Sequence, residues 1–187
     1  LDSRKMEALV ANAEASLAYF EAAADTPLAR AAGARLEAAY DRVGITLGVY
    51  PSQPVTVVLY TREQFADITK LATWSVAAYD GRIRVPLRGA LEQPDELDRV
   101  LSHEFVHAVV AMLGGRTVPA WVNEGLATVL EPAGPGDAEA TLEHSDARPA
   151  LSTLHRGFVD LSRRDAEVAY GSAARAVRRL IGQRGAP

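Results

Sequence analysis

The residues of this sequence best suited to chemistry are two histidines and the glutamate beside the first of them: His103, Glu104 and His107. Side chains four positions apart lie on one face of a helix, so the two imidazoles could bind a single metal ion. The carboxylate of Glu104 would then lie close to a water molecule on that ion and could take its proton. This spacing predicts a Zn2+ site, one per chain, with its own general base.

A third metal ligand is available in Glu124, which lies in the segment 121–127 with the sequence WVNEGLA. Two histidines and one glutamate leave the fourth position of a tetrahedral zinc ion free for water, which is typical of catalytic rather than structural sites. The motif is short, so the alternative is a pair of partly buried histidines that bind acids on a structural helix. Helical patterning around the motif favours the metal site.

Two helices must position these residues. Pro94 and the two acids that follow it are typical of a helix start, and Gly114 is typical of an end, so a helix over 94–114 is predicted to carry both histidines. Pro119 leads into a second predicted helix, over about 120–131, which carries the glutamate. The glycines between the two helices would let them pack antiparallel.

The rest of the sequence predicts an α+β fold. Apolar periodicity and β-branched stretches predict helices over 2–24, 27–43, 61–70, 150–160 and 165–183, strands over 55–60, 76–79 and 82–86, and a surface loop over 132–149. Asp80 and Gly81 indicate a type I′ hairpin turn, and Pro86 with outward arginines indicates that 82–86 is an edge strand. We divide the chain into an N-terminal helical hairpin over 1–50 and a domain over 51–187.

Composition limits the expected partners. The 187 residues are 48% hydrophobic and 24% charged with a formal net charge of −4, and no basic cluster indicates nucleic acid binding. No stretch approaches the roughly 20 apolar residues that span a bilayer. Cysteine is absent, so disulfides are excluded and the compartment stays open, with export or the cell envelope as a working hypothesis.

We expect a monomer. Because the sequence starts at Leu1, it is expected to be a mature form or an excised domain. The helices over 1–50 could dock a partner or end a missing helical-repeat region, although packing on the domain is the simpler interpretation.

The two motifs also carry a resemblance to a known family. HExxH followed by NEGLA resembles the gluzincin metallopeptidases of the peptidase MA-like group, and the likeness covers about residues 50–185. The resemblance implies a small zincin-type α+β domain with a short mixed or antiparallel sheet, in which His103, His107 and Glu124 bind zinc. It also implies that Glu104 activates water for attack on a peptide bond, as in a metalloendopeptidase that acts on peptides or proteins.

The chain departs from that family in two ways. The linker between His107 and Glu124 is shorter than in the relatives, and Thr128 stands where thermolysin-like relatives have an aspartate that orients a histidine. Glu131, one turn further along the same face, is the expected substitute. Relatives also stabilise the oxyanion with a tyrosine or histidine from a later helix, which here implies Tyr170.

Several alternatives stay open at this point. Tyr170 is equally well interpreted as a packing residue, His155 is a weaker candidate for its role, and His144 is expected to be exposed. In a gluzincin, the edge strand over 82–86 would bind substrate backbone by strand addition. A zinc-containing module that binds peptides or proteins while latent or non-catalytic, and a hydrolase of cell-wall peptide amide bonds, are alternative functions.

Overall fold

The computed structural model describes residues 26–51, 55–60, 78–79, 82–86, 94–114, 117–132, 136–146, 149–155, 157–158 and 160–184. Its elements in chain order are α1 (Thr26–Leu47), β1 (Val57–Tyr60), β2 (Ala78–Tyr79), β3 (Ile83–Pro86), α2 (Pro94–Gly114), α3 (Ala120–Val129), α4 (Gly136–Glu143), a 3-10 turn (Leu151–Leu154) and α5 (Arg163–Arg184). This α+β arrangement is mostly helical with one small sheet. No helix within these residues is long and apolar enough to cross a membrane. The helices predicted over 2–24 and 61–70 lie outside the described residues.

Both helices predicted to hold the metal site are present, close to the expected bounds. α2 begins at Pro94 and ends at Gly114, in agreement with the proline, the first-turn acids and the glycine. Most of α2 between Leu97 and Val110 is buried, and Leu101 and Val106 are fully enclosed. α3 begins directly after Pro119, whose carbonyl accepts the first hydrogen bonds of the helix. Local signals therefore account for both elements.

β3 is the central strand of the sheet, between β1 and β2. It runs parallel to β1, with Ile83 opposite Val57, and antiparallel to β2, with Ile83 opposite Tyr79. The predicted edge position of 82–86 is therefore wrong among the described strands. The physical reason is that the backbone of this strand pairs on both sides, with β1 at Val57–Tyr60 and with β2 at Ala78–Tyr79, and neither pairing follows from the pattern of outward arginines and Pro86 that indicated an edge. The sheet itself is short and mixed, as expected.

The antiparallel pairing of β2 with β3, with Tyr79 opposite Ile83, confirms the predicted hairpin. The Asp80-Gly81 turn, predicted to be of type I′, lies outside the described residues.

Two hydrophobic clusters form the core, and α3 contributes to both. The larger cluster joins α1, the sheet, α2 and α3, and contains Tyr40, Val43 and Ile83. The smaller cluster contains Phe158 and buried alanines of α5, with Trp121 of α3 packed against it. α1 therefore shares one core with residues beyond 51, whereas the predicted division of the chain at residue 50 stays a prediction.

Residues 136–143 form a helix, which corrects the surface loop predicted over 132–149. Leu142 is buried, and α4 lies so close to α5 that a Cβ on Gly171 would be 2.2 Å from the carbonyl oxygen of Ala138. Glycine, proline and acids favour a loop by composition, but burial of a helix face against α5 outweighs that weak preference. The short helix expected next is only the 3-10 turn.

Candidate metal centre

The three predicted ligands meet between α2 and α3. The Nε2 atoms of His103 and His107 lie 3.4 and 3.5 Å from the same atom, Oε2 of Glu124, and the three ligand atoms lie within 4.8 Å of one another. A tetrahedral zinc ion about 2.0–2.2 Å from its ligands holds those atoms roughly 3.3–3.6 Å apart. The distance from each ring to the carboxylate therefore matches a shared zinc ion.

Hydrogen bonding at this cluster also fits a cation. Oε2 of Glu124 is buried, and among the described residues it has no hydrogen-bond partner, although two ring nitrogens lie close to it. Buried polar atoms are normally satisfied, so atoms that converge without bonding one another indicate a further partner. The donor set fits zinc, with His103, His107 and Glu124 as its ligands.

Glu104 lies next to the ligands on α2 and is only 5% exposed. Its Oε2 atom has no hydrogen-bond partner within the described part of the chain. Burial raises the pKa of this carboxyl, and the neighbouring His103 and His107 oppose that effect. A carboxyl with a raised pKa and an unpaired oxygen is suited to accept a proton and return it.

A glycine beside the third ligand lets α3 pack directly on α5. A Cβ on Gly125 would lie 2.6 Å from the carbonyl oxygen of Ala173 and 2.7 Å from Val177. This close approach determines the position of the helical turn that carries Glu124. Thr128 donates its hydroxyl proton to the Glu124 backbone carbonyl at 2.8 Å, so its hydroxyl is bound within α3.

Glu131 supports the first histidine, as its position predicted. Its Oε1 atom lies 2.8 Å from Nδ1 of His103. An ionised carboxylate only accepts hydrogen bonds, so Nδ1 carries the proton and Nε2 is left for the metal. Glu131 is buried, and Arg99 lies 3.4 Å from it. The expected contact is confirmed.

The charges at the centre stabilise one another. Burial lowers the pKa of His103, but the nearby carboxylates of Glu124 and Glu131 outweigh burial and raise the pKa to about 10. Burial raises the pKa of Glu124, whereas its contacts with both histidines hold the pKa well below the usual range. Glu124 is therefore ionised at neutral pH, as a zinc ligand must be.

Tyr170 of α5 lies beside the metal centre. Its ring centre is 6.1 Å from that of His103 and 5.0 Å from that of Phe158. Burial first, and then the charges of Glu124 and Glu104, raise the pKa of the hydroxyl above its usual range. The hydroxyl therefore stays protonated and can donate a hydrogen bond. The structure brings Tyr170 to the site, and the contact with Phe158 shows that it also packs in the smaller cluster.

The other two histidines are not part of the centre. His144 and His155 are exposed, and Nδ1 of each ring contacts a backbone carbonyl of its own turn, that of Ala140 and Leu151 respectively. The exposure expected for His144 is confirmed. Exposure and this local contact leave His155 outside the ligand cluster.

Arg99 was not predicted from the sequence; it contacts Glu131 and lies one turn before His103 on α2. The spacing of four residues from a ligand was the only signal for it. Its partner is 32 positions away along the chain, so sequence pattern alone does not pair them.

Comparison with known proteins yields no match: no family model, no curated protein and no solved structure corresponds to this chain. The likeness to gluzincins therefore stays a prediction that rests on the two motifs.

Proposed function

We propose that this chain is a zinc-dependent metallopeptidase of zincin-type fold, which acts on peptides or proteins. The observation that supports it most directly is the convergence of His103, His107 and Glu124, with the buried carboxyl of Glu104 next to them. Three protein ligands leave a position for water, and the carboxyl supplies a general base. A structural zinc site has four protein ligands and needs no such carboxyl.

Each step of peptide hydrolysis has a residue suited to it. Zinc held by the three ligands would act as a Lewis acid and lower the pKa of water to about 7. Glu104 accepts the proton of the attacking water and returns it to the leaving amine, so that the C–N bond breaks after the C–O bond forms. Tyr170 donates a hydrogen bond to the carbonyl oxygen as it gains charge. Glu131 accepts a hydrogen bond from Nδ1 of His103 and so orients the ring.

A zinc-containing module that binds peptides without cutting them would share the ligands but would not use Glu104. Leaving a buried polar group unpaired costs about 1–3 kcal/mol, and a binding module gains nothing from that cost. The oxygen of Glu104 that has no hydrogen-bond partner among the described residues therefore favours the enzyme. Amide bonds of cell-wall peptides would be cut by the same residues, so they differ from proteins only as substrates.

The test compares the parent chain with Glu104→Gln in zinc content, by elemental analysis, and in cleavage of unstructured casein. We expect equal zinc in both proteins and cleavage by the variant at least about 100-fold slower, because an amide cannot accept the proton. Glu143→Gln is a matched control, since Glu143 is 65% exposed on α4. It should cleave at the parent rate.

Zinc in both proteins, without cleavage of casein or of a cell-wall peptide by either, would favour the binding module. A folded parent chain that takes up no zinc would contradict the proposal.

A further inference from the structure

Arg99 connects the surface of α2 to the metal centre through charged side chains. Its guanidinium donates to both carboxylate oxygens of Glu96, at 2.6 and 2.8 Å, and a further nitrogen lies 3.4 Å from each oxygen of Glu131. Oε1 of Glu131 in turn accepts a hydrogen bond from Nδ1 of His103, and the two atoms are 2.8 Å apart. A continuous line of polar contacts therefore runs from Glu96 to the first metal ligand.

Glu131 depends on such contacts because it lies beyond the end of α3. The helix ends at Val129, so helical hydrogen bonds do not hold residue 131 in place. The Glu131 side chain is only 8% exposed, whereas that of Arg99 is 37% exposed. A buried carboxylate is costly without a positive partner, and a guanidinium restricts its direction as well as neutralising its charge.

We infer that Arg99 is a positioning residue of the metal centre, which orients Glu131 and through it the imidazole of His103, with Glu96 as its anchor. The inference rests on the proposed function, since the orientation of His103 matters only where a metal is bound. Loss of a direct partner of a metal-bound histidine typically lowers metal affinity by 10- to 100-fold. Arg99 acts one contact further away, so a loss of roughly 3- to 10-fold is expected.

The direction of the change in zinc affinity distinguishes a role of Arg99 in orienting its partners from an effect of its charge. A positive charge near a zinc ion opposes its binding, so loss of charge at position 99 would by itself strengthen zinc binding. Arg99→Lys keeps the charge but replaces the planar fork with a single ammonium group, which cannot hold Glu96 and Glu131 in the same orientation. Weaker zinc binding by the lysine variant is therefore the signature of positioning.

The experiment measures zinc affinity by competition with a chromophoric chelator, for the parent chain, Arg99→Lys, Glu96→Gln and Glu167→Gln. Glu167 is a matched control because it also pairs with an arginine of its own helix, Arg163 at 3.1 Å, away from the metal centre. We expect roughly 3- to 10-fold weaker zinc binding in the first two variants and parent affinity in the control. The Co2+-substituted forms of the first two should also show altered visible spectra.

A double variant tests whether Arg99 acts through Glu131. If it does, Arg99→Lys should weaken zinc binding much less in a Glu131→Gln background than in the parent chain. Equal losses of zinc affinity in both backgrounds would show that Arg99 does not act through Glu131.

Parent-like zinc affinity in Arg99→Lys and Glu96→Gln, with the fold intact by circular dichroism, would overturn the inference. If Arg99→Lys does not fold, Arg99→Gln decides, since loss of the charge alone would strengthen zinc binding whereas loss of positioning would weaken it, and the Arg99 side chain is 37% exposed. A parent chain that binds zinc but cuts no peptide contradicts only the proposed function, and the variant affinities still decide the role of Arg99. A parent chain that binds no zinc contradicts both.

Discussion

Glu124 lies at the contact between α2 and α3, the two helices that carry the predicted metal ligands. Its Oε2 atom lies within 3.5 Å of a ring nitrogen of both His103 and His107. The same contacts keep it ionised in a buried position. With both imidazoles neutral, as metal binding requires, one carboxylate would give the ligand set a negative charge, which favours a divalent cation over a neutral guest.

Replacing Glu124 with glutamine keeps the shape of the side chain but removes the charge. We expect Glu124→Gln to lower zinc affinity by more than the roughly 10- to 100-fold typical of residues that only support a ligand. Chelator competition measures this, with Glu139→Gln as control because Glu139 binds Arg178 on α5 at 2.9 Å. Undiminished zinc binding by Glu124→Gln would show that Glu124 is not a ligand.

Tyr170 is a candidate both for stabilising the oxyanion and for packing, and removal of its hydroxyl distinguishes the two roles. Tyr170→Phe keeps the ring contacts with His103 and Phe158 but removes the donor. Stabilisation of the oxyanion predicts a fall in kcat of about 10²- to 10³-fold, with zinc content and KM unchanged. Steady-state kinetics on a peptide substrate measure both constants. An unchanged kcat would leave Tyr170 as a packing residue.

At the scale of the elements, α1 supports both helices that carry ligands. Arg42 of α1 donates to Ser102, the neighbour of His103 in α2, and to the carbonyl of Leu130 at 3.4 Å. Leu130 immediately precedes Glu131, so Arg42 and Arg99 act on the same turn. α1, the described helix of the predicted N-terminal hairpin, is therefore a structural support of the candidate metal centre.

The contact between α3 and α5 predicts a loss of stability on enlarging one glycine. Gly125→Ala would place a methyl group 2.6 Å from the Ala173 carbonyl oxygen, and the two backbones must separate to accept it. We expect a lower free energy of unfolding by about 1–3 kcal/mol, measured by urea denaturation.

Gly182 provides the matched control for that substitution. A Cβ on Gly182 of α5 meets no atom of the described residues within 4 Å, so Gly182→Ala should raise the free energy of unfolding by about 0.5–1 kcal/mol through helix propensity alone. Equal effects of the two substitutions would argue against close packing at Gly125.

At the scale of the whole molecule, the candidate metal centre lies where the two hydrophobic clusters meet. His103 is followed on α2 by Phe105 and Val106 of the larger cluster, and the ring of Tyr170, which packs against the smaller cluster, lies beside it. A metal ion held by α2 and α3 would therefore strengthen the contact between the two parts of the core.

Removal of the metal should lower the stability of the whole fold. A ligand that binds only the folded chain adds about 2.7 kcal/mol at a free concentration 100 times its Kd. We expect a strong chelator to lower the Tm of the parent chain and to leave the Tm of Glu124→Gln unchanged, as measured by calorimetry. Equal Tm values for the parent chain with and without chelator would contradict a metal bound to the native state.

Local sequence was sufficient to predict the two metal helices and the residues that converge between them. The four-residue spacing of His103 and His107, and the helix boundaries at Pro94 and Gly114, involve only near neighbours in the chain. Helical hydrogen bonds also connect near neighbours, so the local sequence is enough to predict where these residues lie on their helix.

Contacts between distant positions account for what sequence pattern did not predict. The central place of β3, the helix over 136–143 and the line from Arg99 to Glu131 each depend on a partner remote in the chain. Their free energy comes from burial and from pairing of charges across the core, and local patterns carry little information about either. The support of His103 is therefore a property of the tertiary structure, whereas its place on the helix is a property of the sequence.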